Sequence, residues 1–123
     1  MKTLSIKQPF AELILQGKKK IELRKWNAKF RGEFLIHAPQ NPDVHAMHEF
    51  GFYRLPLGCI VGKAILTDVK RYEDEENHRK DNHLHLASSA WGNYGFMLEK
   101  PERVVVRAAV KGALGFWEYP ESI

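Results

Sequence analysis

The sequence predicts an α+β fold, a small mixed β-barrel with flanking helices, and three observations predict it. Several short segments alternate apolar and polar residues at period two, the mark of half-buried strands. One segment instead spaces Phe10, Leu13 and Ile14 at helical intervals. Gly58 and Gly62 flank the start of the longest apolar stretch, where closing a small barrel demands tight bending. At 123 residues the chain reads as one domain, 1–123, able to remove roughly two-thirds of its unfolded surface from water without a staple.

In order, Thr3 to Ile6 is a short strand, and Pro9 is placed as the first residue of a helix, where its missing N–H is no loss. Phe10, Leu13 and Ile14 face that helix to the core, and Gly17 stops it by supplying the left-handed conformation at C′. Lys20, Ile21, Glu22, Leu23 and Arg24 alternate as a strand, with Ile21 and Leu23 expected toward the core and Glu22 and Arg24 about 7 Å apart on the other face. A loop from Trp26 to Gly32 leads to a strand over Glu33 to His37. Asn41, Pro42 and Asp43 read as N-cap, first and second positions of a helix that runs to about Gly51. Cys59 to about Tyr72 is the long central strand. Glu73 to Ser89 is polar, with Glu75 and Arg79, and Glu76 and Lys80, at i, i+4, which predicts a short exposed helix or lid. Trp91 to Leu98 and Arg103 to Val110 are strands joined by a turn at Lys100 and Pro101, and Gly112 to Trp117 closes the chain against the barrel.

Composition narrows the function classes. A lone cysteine, Cys59, excludes an intramolecular disulfide and points to a reducing, cytoplasmic setting. No apolar run approaches the roughly 20 residues of a membrane span, so no membrane partner is expected. The net charge of +4 favours a polyanion, and Lys18, Lys19, Lys20, Arg24, Lys25, Lys29 and Arg31 concentrate it, while Glu73 to Glu76 gather acids elsewhere. His45 and His48 at i, i+3, and His83 with His85 on one expected strand face, have spacings zinc can use, but one cysteine and no H-E-x-x-H argue for no metal. The absence of a P-loop, nucleophile elbow or dinucleotide fingerprint argues for no cofactor.

The chemistry concentrates in Gly17 to Arg24, where a Glu22 carboxylate can orient the Arg24 guanidinium toward a phosphate or a base edge. Gly17, Lys19, Glu22 and Arg24 fit G-x-K-x-x-E-x-R, and Leu4 to Ala11, Arg31-Gly32 with Leu35 to Ala38, Trp91-Gly92 with Tyr94 to Phe96, and Gly112 with Gly115 to Trp117 accompany them. In these residues the chain resembles the ASCH (activating signal cointegrator homology) domain family, which is similar in fold to PUA domains. The resemblance implies a PUA-like barrel, RNA-linked roles, and a cleft to which His37 lies near. It selects Lys19 for that cleft, whereas strict alternation selects Lys20.

Two functions follow. The first is a binding module for RNA or a nucleotide-like ligand, with Lys19, Arg24, Lys25 and Arg31 on phosphates, Trp26 or Tyr94 stacking on a base, and Gly17 and Glu22 shaping the cleft. Covering the barrel end is the other role open to Trp26. The second is a small metal-independent hydrolase, because some proteins the chain resembles are amidohydrolases of acetylated cytidine and others ribonucleases. Lys19 matches their lysine, and Glu22 stands where the amidohydrolases have threonine.

Overall fold

Six strands and four helices are laid along the chain in the computed structural model, which describes residues 1–104, 106 and 108–123. They are β1 (Lys2–Ser5), α1 (Phe10–Leu15), β2 (Ile21–Arg24), β3 (Gly32–Ala38), α2 (Val44–Glu49), β4 (Cys59–Arg71), α3 (Glu75–Lys80), α4 (Asn82–His85), β5 (Tyr94–Arg103) and β6 (Phe116–Glu118), with a 3₁₀ turn at Ser89–Trp91. The strands form one mixed sheet in the order β2-β5-β4-β3-β1-β6, in which only the β1/β3 pair is parallel. The sheet curls into a half-barrel. Its interior is filled by Phe34, Phe96, Leu4, Ile6, Ile36 and Leu66, all buried, with α1 packed in through Phe10, Leu13 and Ile14. Phe116 on the edge strand β6 stacks against Phe96 (6.3 Å between centroids) and edge-on to Phe34 (5.7 Å), so aromatic rings span the open side of the curl.

The α1 terminus shows why the next segment lies where it does. Gly17 (φ +77°) supplies the left-handed residue, with its N–H on the Ile14 carbonyl and the Lys18 N–H on that of Leu13, the paired bonds of a Schellman cap. Gly62, by contrast, contributes by its missing Cβ: a methyl there would meet Leu15 at 2.3 Å and the Glu102 carbonyl at 2.7 Å.

Four expectations are corrected. The α2 cap is Asp43, whose carboxylate accepts from the Ala46 N–H at 2.9 Å, so Asn41 and Pro42 lie before the helix. Lys100 and Pro101 do not turn the chain; both sit opposite Ala64 as a bulge inside β5, with Lys100 at φ +49°, and a bulge is where a strand tolerates proline. Residues 104, 106 and 108–110 are not strand, and the expected strand's Val105 and Arg107 lie outside the described residues. His83 and His85 belong to α4, not to a strand. In the acidic stretch, Glu75 and Glu76 pair with Arg79 and Lys80 on their own helix, at 3.9 and 3.7 Å.

Candidate nucleic-acid interface

Ile21 and Leu23 of β2 are buried as expected, but the opposite, charged face of the strand is buried as well. Ile21 and Leu23 pack into a separate small cluster with Tyr72, Leu84 and Ala87 beneath the α4 segment. Glu22 lies directly across from Phe96 in the β2/β5 ladder, and directly paired residues share a face, so the charged side chains point to the main-core side. A carboxylate there needs compensation. Glu22 Oε2 accepts from Arg24 Nη2 at 2.9 Å, and its Oε1 stands 3.6 Å from Lys19 Nζ.

Lys19 is turned inward, its side chain 1% exposed, while Lys20 is exposed and uses its backbone N–H on the Leu84 carbonyl. Both precede the strand, so the pleat does not bind them. Lys19 Nζ donates to the His85 carbonyl and stands 5.1 Å over the Phe10 ring. Burial pulls its pKa below the ordinary lysine value, and the Glu22 charge opposes that shift.

Above buried Lys19 and Glu22 and half-buried Arg24 opens a cleft of about 1080 Å³. Lys19, Glu22, Arg24, Lys25 and Trp26 line it. Gly17, Arg31 and Tyr94 do not: Gly17 remains an exposed helix terminus, Arg31 turns outward onto the Ala28 and Phe30 carbonyls (2.7 and 2.9 Å) and toward Asp68, and Tyr94 packs onto the core. Trp26 meets Phe96 and Phe116 edge to face at 5.2 and 6.0 Å, so it closes the barrel end and forms an inner wall of the cleft. Lys7, Trp91 and Lys111 also line it. None was a candidate from the sequence, although Lys7 lies inside the Leu4 to Ala11 opening. Among the described residues the lining thus carries five cations, Lys7, Lys19, Arg24, Lys25 and Lys111, against the single carboxylate of Glu22.

The wall beside Lys19 is built on a histidine. His85 Nε2 lies 2.8 Å from the His78 carbonyl, and its Nδ1 accepts from the Ala87 N–H at 3.2 Å, so the neutral imidazole satisfies both sides. Burial lowers its pKa. Since the folded value lies below the unfolded one near 6.5, this stabilisation is complete above that pH and is lost as pH falls through the folded value. Amide protons of α3 and α4 are therefore expected to lose hydrogen-exchange protection, measured against their intrinsic rates, in mild acid, more so than those of β3 and β4; an equal loss throughout would contradict it. His45 and His48 are exposed on α2, and among the described residues no group of three or more His, Cys, Asp or Glu could hold a metal ion.

The ASCH domain family model matches residues 4–111. The chain belongs to the ASCH domain family. Activating signal cointegrator 1 of mouse and of human are each 26% identical to this ASCH domain over 134 residues, an alignment covering 98% of the chain and 22% of each relative. The chain thus spans about a fifth of the length of the curated relatives it matches. Among solved structures, ASCH from Zymomonas mobilis superimposes with a TM-score of 0.58 at 16% identity over 83% of this chain and 68% of that one. A mutant of that protein gives 0.59 at 15% identity over 89% and 74%. The likeness establishes for this ASCH domain the mixed, PUA-like half-barrel.

Proposed function

We propose that this ASCH domain binds single-stranded RNA in the cleft above β2. The observation that carries the reading is the charge imbalance of its lining, five cations to one carboxylate around a volume that suits a nucleotide. Lys19 and Glu22 form a floor that holds Arg24, while Lys7, Lys25 and Lys111 meet phosphates. Trp91, 39% exposed and steeply inclined to Phe10 at 5.4 Å between centroids, offers a base the ring to stack on, the role Trp26 gives up to the barrel interior. The lone Cys59 keeps a cytoplasmic setting part of this proposal.

Fluorescence anisotropy with a labelled oligoribonucleotide at low and physiological salt tests it. Affinity should fall steeply with salt, and Lys25→Ala or Lys111→Ala should each flatten the log–log slope by roughly 0.7, the share of one phosphate. Slopes identical to wild type would remove these residues from the interface. The lowered Lys19 pKa supports a second reading, in which Lys19 and Glu22 hydrolyse RNA or an acetylated nucleoside. Chromatographic products formed by the wild type and absent with Lys19→Met would establish turnover.

A further inference from the structure

The same cleft holds a second constellation, one that neither the charged strand nor RNA binding uses. Ser5 ends β1, and His37 is its directly paired neighbour on the parallel strand β3. His37 Nε2 lies 2.6 Å from the Val110 carbonyl oxygen, which can only accept, so Nε2 carries the proton of the neutral ring. His37 Nδ1 is then bare, and 2.9 Å from it stands the Ser5 hydroxyl. Trp117 Nε1–H donates to the same hydroxyl oxygen at 3.3 Å, so the Ser5 proton is left to point at Nδ1. The half-buried Ser5 and the buried His37 both line the cleft.

We infer that Ser5 is a nucleophile activated by His37, and that the pair cleaves a carboxylic ester or thioester borne on an anionic, phosphate-bearing carrier. The warrant is the relation of the groups: a hydroxyl within reach of a base, and a base fixed in tautomer and orientation by a third group. In the forward step Oγ bonds to the acyl carbon, its proton passes to Nδ1, and the carbonyl π pair moves onto oxygen. Arg24 is beside this point: its Nη2 donates to the Ser5 carbonyl at 2.8 Å, and its buried Nε–H has no hydrogen-bond partner among the described residues, leaving a cationic donor next to Ser5. Collapse expels the alcohol or thiol, which takes the proton from Nδ1. Water, deprotonated by the same nitrogen, then releases the acid and restores Ser5. A neutral carbonyl stabilises the imidazolium less than a carboxylate does, so slow turnover and ready covalent capture are expected. The cleft cations Lys7, Lys25 and Lys111 select the anionic carrier.

Gly112 governs access. A Cβ there would lie 2.4 Å from Ser5 Oγ and 2.8 Å from His37 Nδ1, so any side chain would occupy the space an acyl group enters. The test is labelling of the full chain with a fluorophosphonate probe, mapped by peptide mass spectrometry, together with release of p-nitrophenol from p-nitrophenyl acetate. Ser5 should be the modified residue, and Ser5→Ala should abolish both signals. His37→Gln should slow labelling by about 100-fold, the lower end of what a positioned base contributes, and Gly112→Ala, whose Cβ crowds Ser5 Oγ and His37 Nδ1, should suppress it although both residues are kept. Circular dichroism reports whether each variant folds, and if His37→Gln does not, Gly112→Ala decides. An unlabelled Ser5 in folded wild type, or labelling of the folded variants at the wild-type rate, would overturn the inference.

Discussion

Glu22→Ala is expected to destabilise the protein by about 3–5 kcal/mol, the cost of stranding a buried charge. The variant leaves Lys19 sealed under the cleft with a carbonyl and an aromatic ring for company and the Arg24 cation nearby. Lys19→Met removes the buried charge instead of isolating it, and Glu22 keeps Arg24, so its cost should be smaller. The pair also sets a pH dependence. Burial holds the folded Lys19 pKa below its unfolded value near 10.5, so between the two the unfolded chain binds the extra proton and stability rises with pH. Glu22→Gln withdraws the charge that props that pKa up, lowering it further and extending the rise toward neutrality. Urea midpoints from pH 7 upward decide both points. A Glu22→Ala loss no greater than that of Lys19→Met would show that the ion pair is not a buried unit.

Gly92→Ala should be comparably damaging, by about 3 kcal/mol or more, from overpacking and backbone strain together. Gly92 adopts φ +132°, and a Cβ there would lie 2.1 Å from the Arg24 carbonyl oxygen and 2.6 Å from the Lys25 nitrogen. These are backbone atoms and cannot swing aside. The substitution must push apart the strand end that presents Arg24 and Lys25 and the turn that carries Trp91. RNA affinity is expected to fall with stability, whereas Gly51→Ala, at a left-handed glycine with nothing within 4 Å, should cost stability alone. A thermal midpoint drop of roughly 10 °C is expected at this chain length. An unchanged midpoint would mean the approach of Gly92 to β2 is not as tight as described.

Local signals were legible where one competing interaction decides the outcome. The α1 stripe, the Gly17 terminus and the length of β4 follow from periodicity and backbone sterics alone. Periodicity says that Ile21 and Leu23 oppose Glu22 and Arg24; it does not say which side is the main core, and α4 covers the face that a solvated sheet would expose. The pleat points to Lys20 and the ASCH motif to Lys19; both lysines precede β2, where the pleat does not apply, and it is Lys19 that is buried. Pro101 looked like a turn because proline breaks a ladder, yet a bulge accommodates it equally well. At the site, Lys7, Trp91 and Lys111 arrive from β1's end, the 3₁₀ turn and the closing segment. No spacing along the chain links them, since their proximity is set by the curl of the sheet.

Backbone amide and indole N–H shifts followed by NMR during titration with a short single-stranded oligoribonucleotide test the proposal that the cleft binds RNA most directly. Saturable shifts at Lys25, the Trp91 indole and Lys111, with Arg31 and Asp68 on the outer face unmoved, are expected. Shifts confined to that outer face, or none at any RNA concentration, would contradict it.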